Sequence, residues 1–481
     1  MKTLARLVSL PPLLMLFLLT GCAVTRVAPP PPVTAPAAFK EDTPWLRGAA
    51  QTGVPDAWWT LFGDPALDAL ESKLVVGNEN LKSLAAQLAS ARAALAASRS
   101  AMYPTLSLGL DATRTASPAS GTGTGTGTVS NVANPANSMS LTANAAWEVD
   151  LWGRLAQASE GAQATVQASA DDLAAARLSA QATLAQTYFS LCTSDAQLAL
   201  LARSVAAYQR SLDLTQARYD GGVAARSDVL QAQTQLRSAQ AQQADMTAQR
   251  AVLEHAIAVL LGVAPSSLDV AVQPRLPGAP PLPPLLPSTL LQRRPDIAAA
   301  QRRVAAAYAQ IGVADAAYFP ALSLSAGAGY RSNTFSQLVS APNLLWSLGS
   351  TLAQAIFDGG QRKLASAQAR TGAEQATSTY RQSVLVALQE VEDNLVLATR
   401  LRDEAAFQAE ALAAARRNVD ITLDQYTGGT VSYLNVVTAQ TAALGSESSL
   451  LTVQNRQLAA TATLLKNIAG RWDTDSALQK K

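Results

Sequence analysis

Short segments that alternate strictly between apolar and polar residues most constrain how this chain can fold. Residues 105–112 read TLSLGLDA, and residues 138–147 show the same alternation. Two later segments, 321–330 and 344–352, repeat it. A period of two places apolar side chains on one face of a strand and polar side chains on the other. Each segment therefore predicts a strand of ~9–11 residues with two unlike faces, as a lipid-spanning β-barrel requires.

Four such strands cannot close a barrel, because the smallest membrane barrels contain about eight strands. An open sheet edge in lipid leaves backbone N–H and C=O groups unpaired, at a cost of several kcal/mol each. If these strands cross a membrane, several copies of the chain must share one barrel. A half-buried hairpin in a soluble protein is the alternative, since the alternation in any single strand is a weak signal.

The N-terminus predicts export and lipid attachment. Lys2 and Arg6 accompany a short apolar run, which is typical of a signal peptide, here over residues 1–21. The sequence LLTGC that ends at Cys22 resembles the bacterial lipobox. This resemblance implies cleavage before Cys22, a covalent lipid on Cys22 and, because Ala23 follows, the outer membrane. An ordinary secreted protein with a chance cysteine is the alternative.

Composition excludes several classes of function. Cys192 is the only cysteine besides Cys22, so a fold held by several disulfides is excluded. The formal net charge of +2 gives no reason to expect nucleic acid as a partner. His255 is the only histidine, which leaves no histidine cluster for zinc and no plausible catalytic triad. We therefore predict that the protein is not an enzyme, has no metal site, and has no cofactor beyond the lipid on Cys22.

Very long helices are predicted between the pairs of strands. One row of a coiled-coil seam consists of residues seven apart, namely Leu184, Leu191, Leu198, Val205, Leu212 and Tyr219. No proline occurs from Arg154 to Tyr219, so one helix of roughly 99 Å fits this range at 1.5 Å per residue. Gly221 and Gly222 then supply the positive φ that a sharp reversal needs. The sequence thus predicts a helical hairpin with a glycine turn at its tip.

An internal duplication organises the whole chain. Tyr103-Pro104 matches Phe319-Pro320 before the first strand of each pair. The turn at Gly221-Gly222 matches Gly428-Gly429, at the same offset that relates Gly153 to Gly360. The second copy lacks the Gly-Thr loop that separates the first two strands. Self-similarity of this kind predicts two copies of one structural unit.

These signals divide the chain into segments. We predict a signal peptide (1–21), a lipid-anchored tether (22–45), a first repeat (46–262) with a β-hairpin at 104–149 and a coiled-coil hairpin at 154–262, a proline-rich equatorial insertion (263–291), a second repeat (292–470) with a β-hairpin at 320–357 and a coiled-coil hairpin at 361–470, and a C-terminal tail (471–481).

Four motifs stand out along the chain: RRPDI at 293–297, WEVDLWGR at 147–154, IFDGG at 356–360, and RYDGG at 218–222 with its second copy. They resemble those of the TolC-type outer-membrane efflux channels, in their lipoprotein (NodT-like) branch. The resemblance covers nearly all of the mature chain. It implies an α+β membrane protein, in which a homotrimer forms a twelve-stranded transmembrane β-barrel with four strands per chain. A long periplasmic α-helical barrel with a mixed equatorial belt would continue it.

The resemblance also implies passive conduction across the outer membrane. An inner-membrane pump, of the RND type, and a periplasmic adaptor protein would deliver drugs or other small molecules to the channel. Polar strand faces would line water, and apolar faces would contact outer-membrane lipid. Two alternatives remain open: the exit duct of a type I protein secretion system, and a structural coiled-coil lipoprotein without a pore.

A periplasmic gate is implied at the second glycine turn. The matching positions are Tyr426, Leu434, Thr438 and Thr441. Thr438 and Thr441 stand where pump-linked members carry Asp and Arg, so we expect apolar and hydrogen-bonded contacts instead of ion pairs. Asp420 and Asp424 are candidates for a ring of carboxylates near the mouth. The adaptor would dock at the two turns, formed by Gly221, Gly222, Gly428 and Gly429.

Overall fold

A computed structural model describes most of the chain. The described residues are 27–31, 33–34, 36–40, 55–116, 135–281 and 294–468. Cys22, the signal peptide, the Gly-Thr loop and the C-terminal tail lie outside them. The described residues fall into two compact units, which we describe separately.

The secondary structure follows the predicted order of helices and strands. The helices of the described residues are α1 (Pro65–Gly77), α2 (Glu79–Ser100), α3 (Arg154–Asp220), α4 (Arg226–Leu260), α5 (Pro295–Ala316), α6 (Gln361–Thr427) and α7 (Tyr433–Ile468). The strands are β1 (Thr105–Thr115), β2 (Ala136–Val149), β3 (Ala321–Ser332) and β4 (Leu344–Ala353). Short 3₁₀ helices occur at Trp58–Phe62, Pro265–Ser267, Phe335–Gln337 and Ala341–Asn343. None of the described helices is both long and apolar enough to cross a membrane.

The first unit, within Ala89–Ala168 and Gln301–Thr379, contains all four strands. They form one antiparallel sheet in the order β1-β2-β3-β4. Its apolar face is exposed along both edge strands, including Leu106, Leu108 and Leu110 of β1 and Trp346, Leu348 and Leu352 of β4. The two outer edges, one on β1 and one on β4, have no partner strand within the described chain. The alternation in the sequence therefore produces a two-faced sheet that is open at both sides.

The WEVDLWGR motif joins β2 to α3 through specific polar contacts. Arg154 donates three hydrogen bonds to the carboxylate of Glu148, at 2.7, 2.8 and 3.1 Å. The Asp150 carboxylate accepts the Ala156 N–H of the first helical turn at 2.8 Å. Since the first N–H groups of a helix lack intrahelical partners, Asp150 satisfies one of them. The motif is thus the connection that ends the strand and starts the long helix.

The second unit is built around a buried aromatic and aliphatic core. Trp58 and Phe62 pack edge to face, and Phe62 lies 4.8 Å from Phe189 of α3 between ring centroids. Asp64 accepts the Ala66 N–H at the start of α1 and also the hydroxyl of buried Tyr188, at 2.8 Å. A single carboxylate therefore both begins α1 and ties it to α3.

Arg250 attaches an irregular segment to this unit, and Arg294 attaches the start of α5. Arg250 of α4 pairs with Asp195 at 2.6 Å and donates to the Val270 carbonyl at 2.8 Å. Arg294, from the RRPDI motif, pairs with Glu390 and donates to Asn467 at 3.0 Å. Buried guanidinium groups are stable only when their donors are satisfied in this way. The RRPDI motif therefore joins the start of α5 to α6 and α7.

Glu71 of α1 is fully buried in the same unit. Neither of its carboxylate oxygens has a hydrogen-bond partner within the described residues. Burial raises the pKa of this carboxyl to about 9, although the charge of Arg177 opposes the shift. Desolvation disfavours the charged form, so Glu71 is protonated at neutral pH.

We expect the variant Glu71→Gln to become more stable than the wild type as the pH rises. The folded chain keeps a proton on Glu71 that the unfolded chain releases, because the pKa is raised only on folding. The stability that this proton gives the folded chain is complete when the pH is below ~4.3, the pKa of ordinary glutamate, and it is lost as the pH rises through about 9. Thermal unfolding followed by circular dichroism between roughly pH 5 and pH 10 measures it. Glu374→Gln, at an exposed position, is the control. Equal pH dependence in the wild type and Glu71→Gln would contradict the assignment.

Candidate functional site

The two helical hairpins of the second unit end in turns of the same geometry. In the first, Gly222 has φ +75° and the Val223 N–H donates to the Arg218 carbonyl at 2.8 Å. In the second, Gly429 has φ +76° and the Thr430 N–H donates to the Gln425 carbonyl at 3.0 Å. These are the hydrogen bonds of a Schellman motif, which glycine at positive φ completes. The predicted glycine turns therefore close both hairpins, and all four glycines are exposed.

We call residues 211–236 the first hairpin tip and residues 420–441 the second hairpin tip. Tyr426, which is only 4% exposed, is at the centre of the second. Its ring lies 5.4 Å from that of Tyr433, in an edge-to-face arrangement that favours aromatic pairs. Val436 and Ala232 complete the cluster, and Ala232 belongs to the first tip. Tyr426 thus packs where the two tips meet.

Arg218 connects the tips through its guanidinium group. The group lies 4.9 Å from the centroid of the Tyr426 ring and donates from Nη1 to the Thr427 carbonyl at 3.0 Å. Sequence reasoning assigned no role to Arg218. The sequence does contain a sign of its role, which is a difference between the two copies of the repeat. The residue of the second copy that matches Arg218 is Gln425.

Neutral hydrogen bonds also join the tips. Gln440 of α7 donates to the hydroxyl of Ser211 at 3.1 Å. Gln235 of α4 donates to the hydroxyl of Thr441 at 3.0 Å. The tips are therefore held by side chains of both returning helices as well as by Arg218.

The other predicted gate residues do not take part in this contact within one chain. Leu434 is 55% exposed, and the Thr438 hydroxyl bonds to the Leu434 carbonyl of its own helix at 2.9 Å. Asp420 and Asp424 are exposed on the same hairpin. The structure thus brings Tyr426 and Thr441 to the contact between the tips and leaves Leu434, Thr438 and the two aspartates on its surface.

Residues 204–249 and 417–446, all of them described, form no ion pair. The ion pairs nearest the second tip lie just above it, where Glu447 accepts from Arg203 and Arg416 at 2.7 Å each. Burial also raises the pKa of the Tyr433 hydroxyl to about 12, so this hydroxyl stays protonated above pH ~10, where an ordinary tyrosine ionises. In the described part of the chain, no group of acidic, histidine and cysteine side chains could hold a metal ion.

Residues 70–263 and 286–470 match the model of a family described as "Outer membrane efflux protein". This chain belongs to that family. The two matched segments correspond to the two halves of the duplicated chain.

Two curated relatives resemble this efflux channel over almost its whole length. The toluene efflux pump outer membrane protein TtgF of Pseudomonas putida is 29% identical over 470 residues, which cover 95% of this chain and 96% of the relative. The pyoverdine export outer membrane protein OpmQ of Pseudomonas aeruginosa is 28% identical over 480 residues, which cover 96% of this chain and 97% of the relative.

Solved structures show the same fold. The outer-membrane channel OprN matches with a TM-score of 0.85 at 28% identity, covering 93% of this chain and 100% of the other. The open state of the MtrE channel of Neisseria gonorrhoeae matches with a TM-score of 0.81 at 23% identity, covering 93% of this chain and 98% of the other.

Family membership confirms several predictions made from the sequence. The fold class, a trimeric β-barrel with four strands per chain continued by an α-helical barrel, is confirmed. So are the location in the outer membrane and the role of an efflux channel, which is a conduit and not an enzyme. The prediction of a lipid on Cys22 lies outside the described residues.

Proposed function

We propose that this channel is the outer-membrane duct of a tripartite pump, supplied by a periplasmic adaptor and an inner-membrane transporter of the RND type. The two-faced, four-stranded sheet with both edges open carries this proposal. Its exposed apolar face fits lipid, and its polar face fits a water-filled channel. Since the relatives are named for efflux of toluene and export of pyoverdine, we propose small organic molecules as cargo.

Purified protein should form aqueous pores in planar bilayers. In cells that lack their own efflux duct, it should restore resistance to organic solvents or antibiotics when expressed with its pump and adaptor. The control is a chain without residues 105–115, because a barrel cannot close without β1. Restored resistance without any measurable pore, or a pore that never restores resistance, would contradict the proposal.

We propose that the contact between the hairpin tips, centred on Tyr426 and Arg218, holds the periplasmic entrance closed. Its contacts are the packing of Tyr426 with Ala232, neutral hydrogen bonds, and one guanidinium that lies over the Tyr426 ring and donates to the Thr427 carbonyl. None of them is an ion pair, so salt should weaken the closed state little. Leu434, Thr438 and Thr441 would face the same entrance from neighbouring chains, and Asp420 and Asp424 would give it a cation preference.

Removing the Arg218 or Tyr426 side chain should open the channel. Arg218→Ala loses a hydrogen bond from a charged donor, worth ~1.5–3 kcal/mol, and a cation–π contact of ~0.5–1 kcal/mol. Because about 1.4 kcal/mol changes an equilibrium tenfold, the open fraction in single-channel recordings should rise at least about tenfold. Tyr426→Ala should act likewise, whereas Tyr426→Phe, which keeps the packing, should stay near wild type.

Arg210→Ala is the matched control, since Arg210 is an exposed arginine on the same helix. An equal effect of Arg210→Ala, or strong opening of the wild type by salt alone, would refute this account of the gate. In the same recordings, Asp420→Asn with Asp424→Asn should reduce the preference for cations. The exposed turns at Gly221-Gly222 and Gly428-Gly429 are our proposed docking surface, which cross-linking to the adaptor would test.

We propose that Cys22 carries the N-terminal lipid implied by the lipobox. Cells grown with radioactive palmitate should label the wild type and Cys192→Ser but not Cys22→Ser. Because the strands themselves hold the protein in the membrane, Cys22→Ser should keep part of its efflux activity. Labelling of Cys22→Ser at the wild-type level would place the lipid elsewhere.

A further inference from the structure

The trimeric barrel leaves one feature of its sheet unspecified. β4 of one protomer must pair with β1 of the next, because these are the two edges without a partner strand in the described chain. Closure alone does not say which residues face each other. The internal duplication contains the missing information, because the chain already includes one joint between two hairpins, the pairing of β2 with β3.

The duplication reproduces strand register within the sheet. Tyr103-Pro104 aligns with Phe319-Pro320, so β1 aligns with β3; Gly153 aligns with Gly360, so β2 aligns with β4. By this alignment the pair Thr105 and Ala146 should recur as Ala321 and Ala353. The structure pairs those two residues. Sequence alignment of the two copies therefore predicts register correctly in the one place where the chain allows a check.

We propose that the joint between protomers copies the register of β2 with β3. The observed pair Val149 and Leu322 then becomes Ile356 and Leu106 of the neighbouring protomer. Likewise, Ala145 and Ala326 become Leu352 and Leu110 of the neighbouring protomer. This inference rests on the trimeric barrel and adds to it the residues that meet at the seam.

The segment after β4 supports this register. β2 continues past its last partner in β1, Ala146 opposite Thr105, and its final residues Trp147–Val149 pair with β3. The matching residues after Ala353 are 354–356, which form no strand in one chain. Ile356 is 89% exposed there. In the proposed register, β1 of the neighbour pairs with 354–356 and extends β4 to the same length as β2.

Other registers conflict with the sequence. A shift by one residue would turn the apolar face of one strand toward water. A shift by two in one direction would place Ile356 opposite Pro104 of the neighbour, which has no N–H to donate. A shift by two in the other direction would place Asp358 opposite Leu106 of the neighbour. The Asp358 carbonyl already accepts the Gln361 N–H at 3.2 Å, in the turn where α6 begins, so its backbone does not continue the strand.

Disulfide cross-linking tests the register. One variant carries Leu352→Cys and Leu110→Cys, and a second carries Thr351→Cys and Asp111→Cys, the adjacent pair on the opposite face. Adjacent residue pairs of an antiparallel ladder alternate between hydrogen-bonded and non-hydrogen-bonded geometry, so the two variants cover both. Within one chain these positions lie on opposite edges of the sheet, so any bond must join two protomers. Oxidation in the membrane should give covalent dimers and trimers on non-reducing gels.

The matched controls shift each pair by two residues: Leu352→Cys with Leu108→Cys, and Thr351→Cys with Gly109→Cys. Directly opposed Cβ atoms lie ~4.5–5.5 Å apart and diagonal ones ~7–8 Å, whereas a disulfide needs ~3.5–4.5 Å. For at least one proposed pair, the yield of cross-linked dimers and trimers should therefore exceed that of its control by on the order of tenfold. Variants that carry only one of the two introduced cysteines serve as a further control, because a bond in them would have to involve another cysteine, such as the buried Cys192.

Each outcome has a distinct meaning. Stronger cross-linking of a shifted pair, or none from any pair in a protein that is trimeric by mass in detergent, would overturn the proposed register. A protein that is not trimeric would instead overturn the barrel and the proposed function with it.

Discussion

Unpaired backbone groups at a sheet edge are the constraint on which the membrane part of this protein depends. In lipid, each N–H or C=O without a partner costs several kcal/mol, so an isolated four-stranded sheet is unstable there. Within the described chain, β1 and β4 have full ladders on their inner sides and none on their outer sides. Oligomerisation is therefore not an addition to a finished fold. It supplies hydrogen bonds that every protomer lacks, and this explains why exposed leucines and unpaired edges occur on the same two strands.

The hairpin tips are stabilised by a different kind of interaction. Coiled-coil hairpins can be held together by ion pairs, but separating a buried ion pair leaves uncompensated charges. Here Tyr426 contacts Tyr433 and the guanidinium of Arg218, and glutamines bond to hydroxyl groups. When the tips separate, each neutral hydrogen bond is replaced by hydrogen bonds to water. The free-energy cost is small, since a neutral hydrogen bond contributes only ~0.5–1.5 kcal/mol. A contact of this chemistry suits a structure that must open and close repeatedly.

Much of the fold could be predicted from the sequence because its periods are long and consistent. The alternation in 105–112 and 344–352 specifies which side chains share a face, and the repeat specifies that the hairpins are alike. Pairwise contacts between distant helices have no such period. Arg218 and Tyr426 are far apart in the chain, and nothing in either local pattern requires them to meet. Glu71 is intermediate: it lies on the apolar stripe of Leu67, Leu70 and Leu74, and a carboxyl at such a position predicts burial.

Duplication followed by divergence explains the asymmetry of the tips. Both turns have the same hydrogen bonds and nearly the same φ at their second glycine. Only the first copy carries an arginine before its turn, where the second copy has Gln425, although the backbone carbonyls of both residues accept the equivalent N–H of the turn. The first tip therefore supplies the cation, and the second supplies a ring and the carbonyl of Thr427. Because neither acceptor carries a formal charge, parting the tips leaves no anion without its partner, and the cost of opening is the loss of the Arg218 contacts and of the neutral hydrogen bonds between the tips.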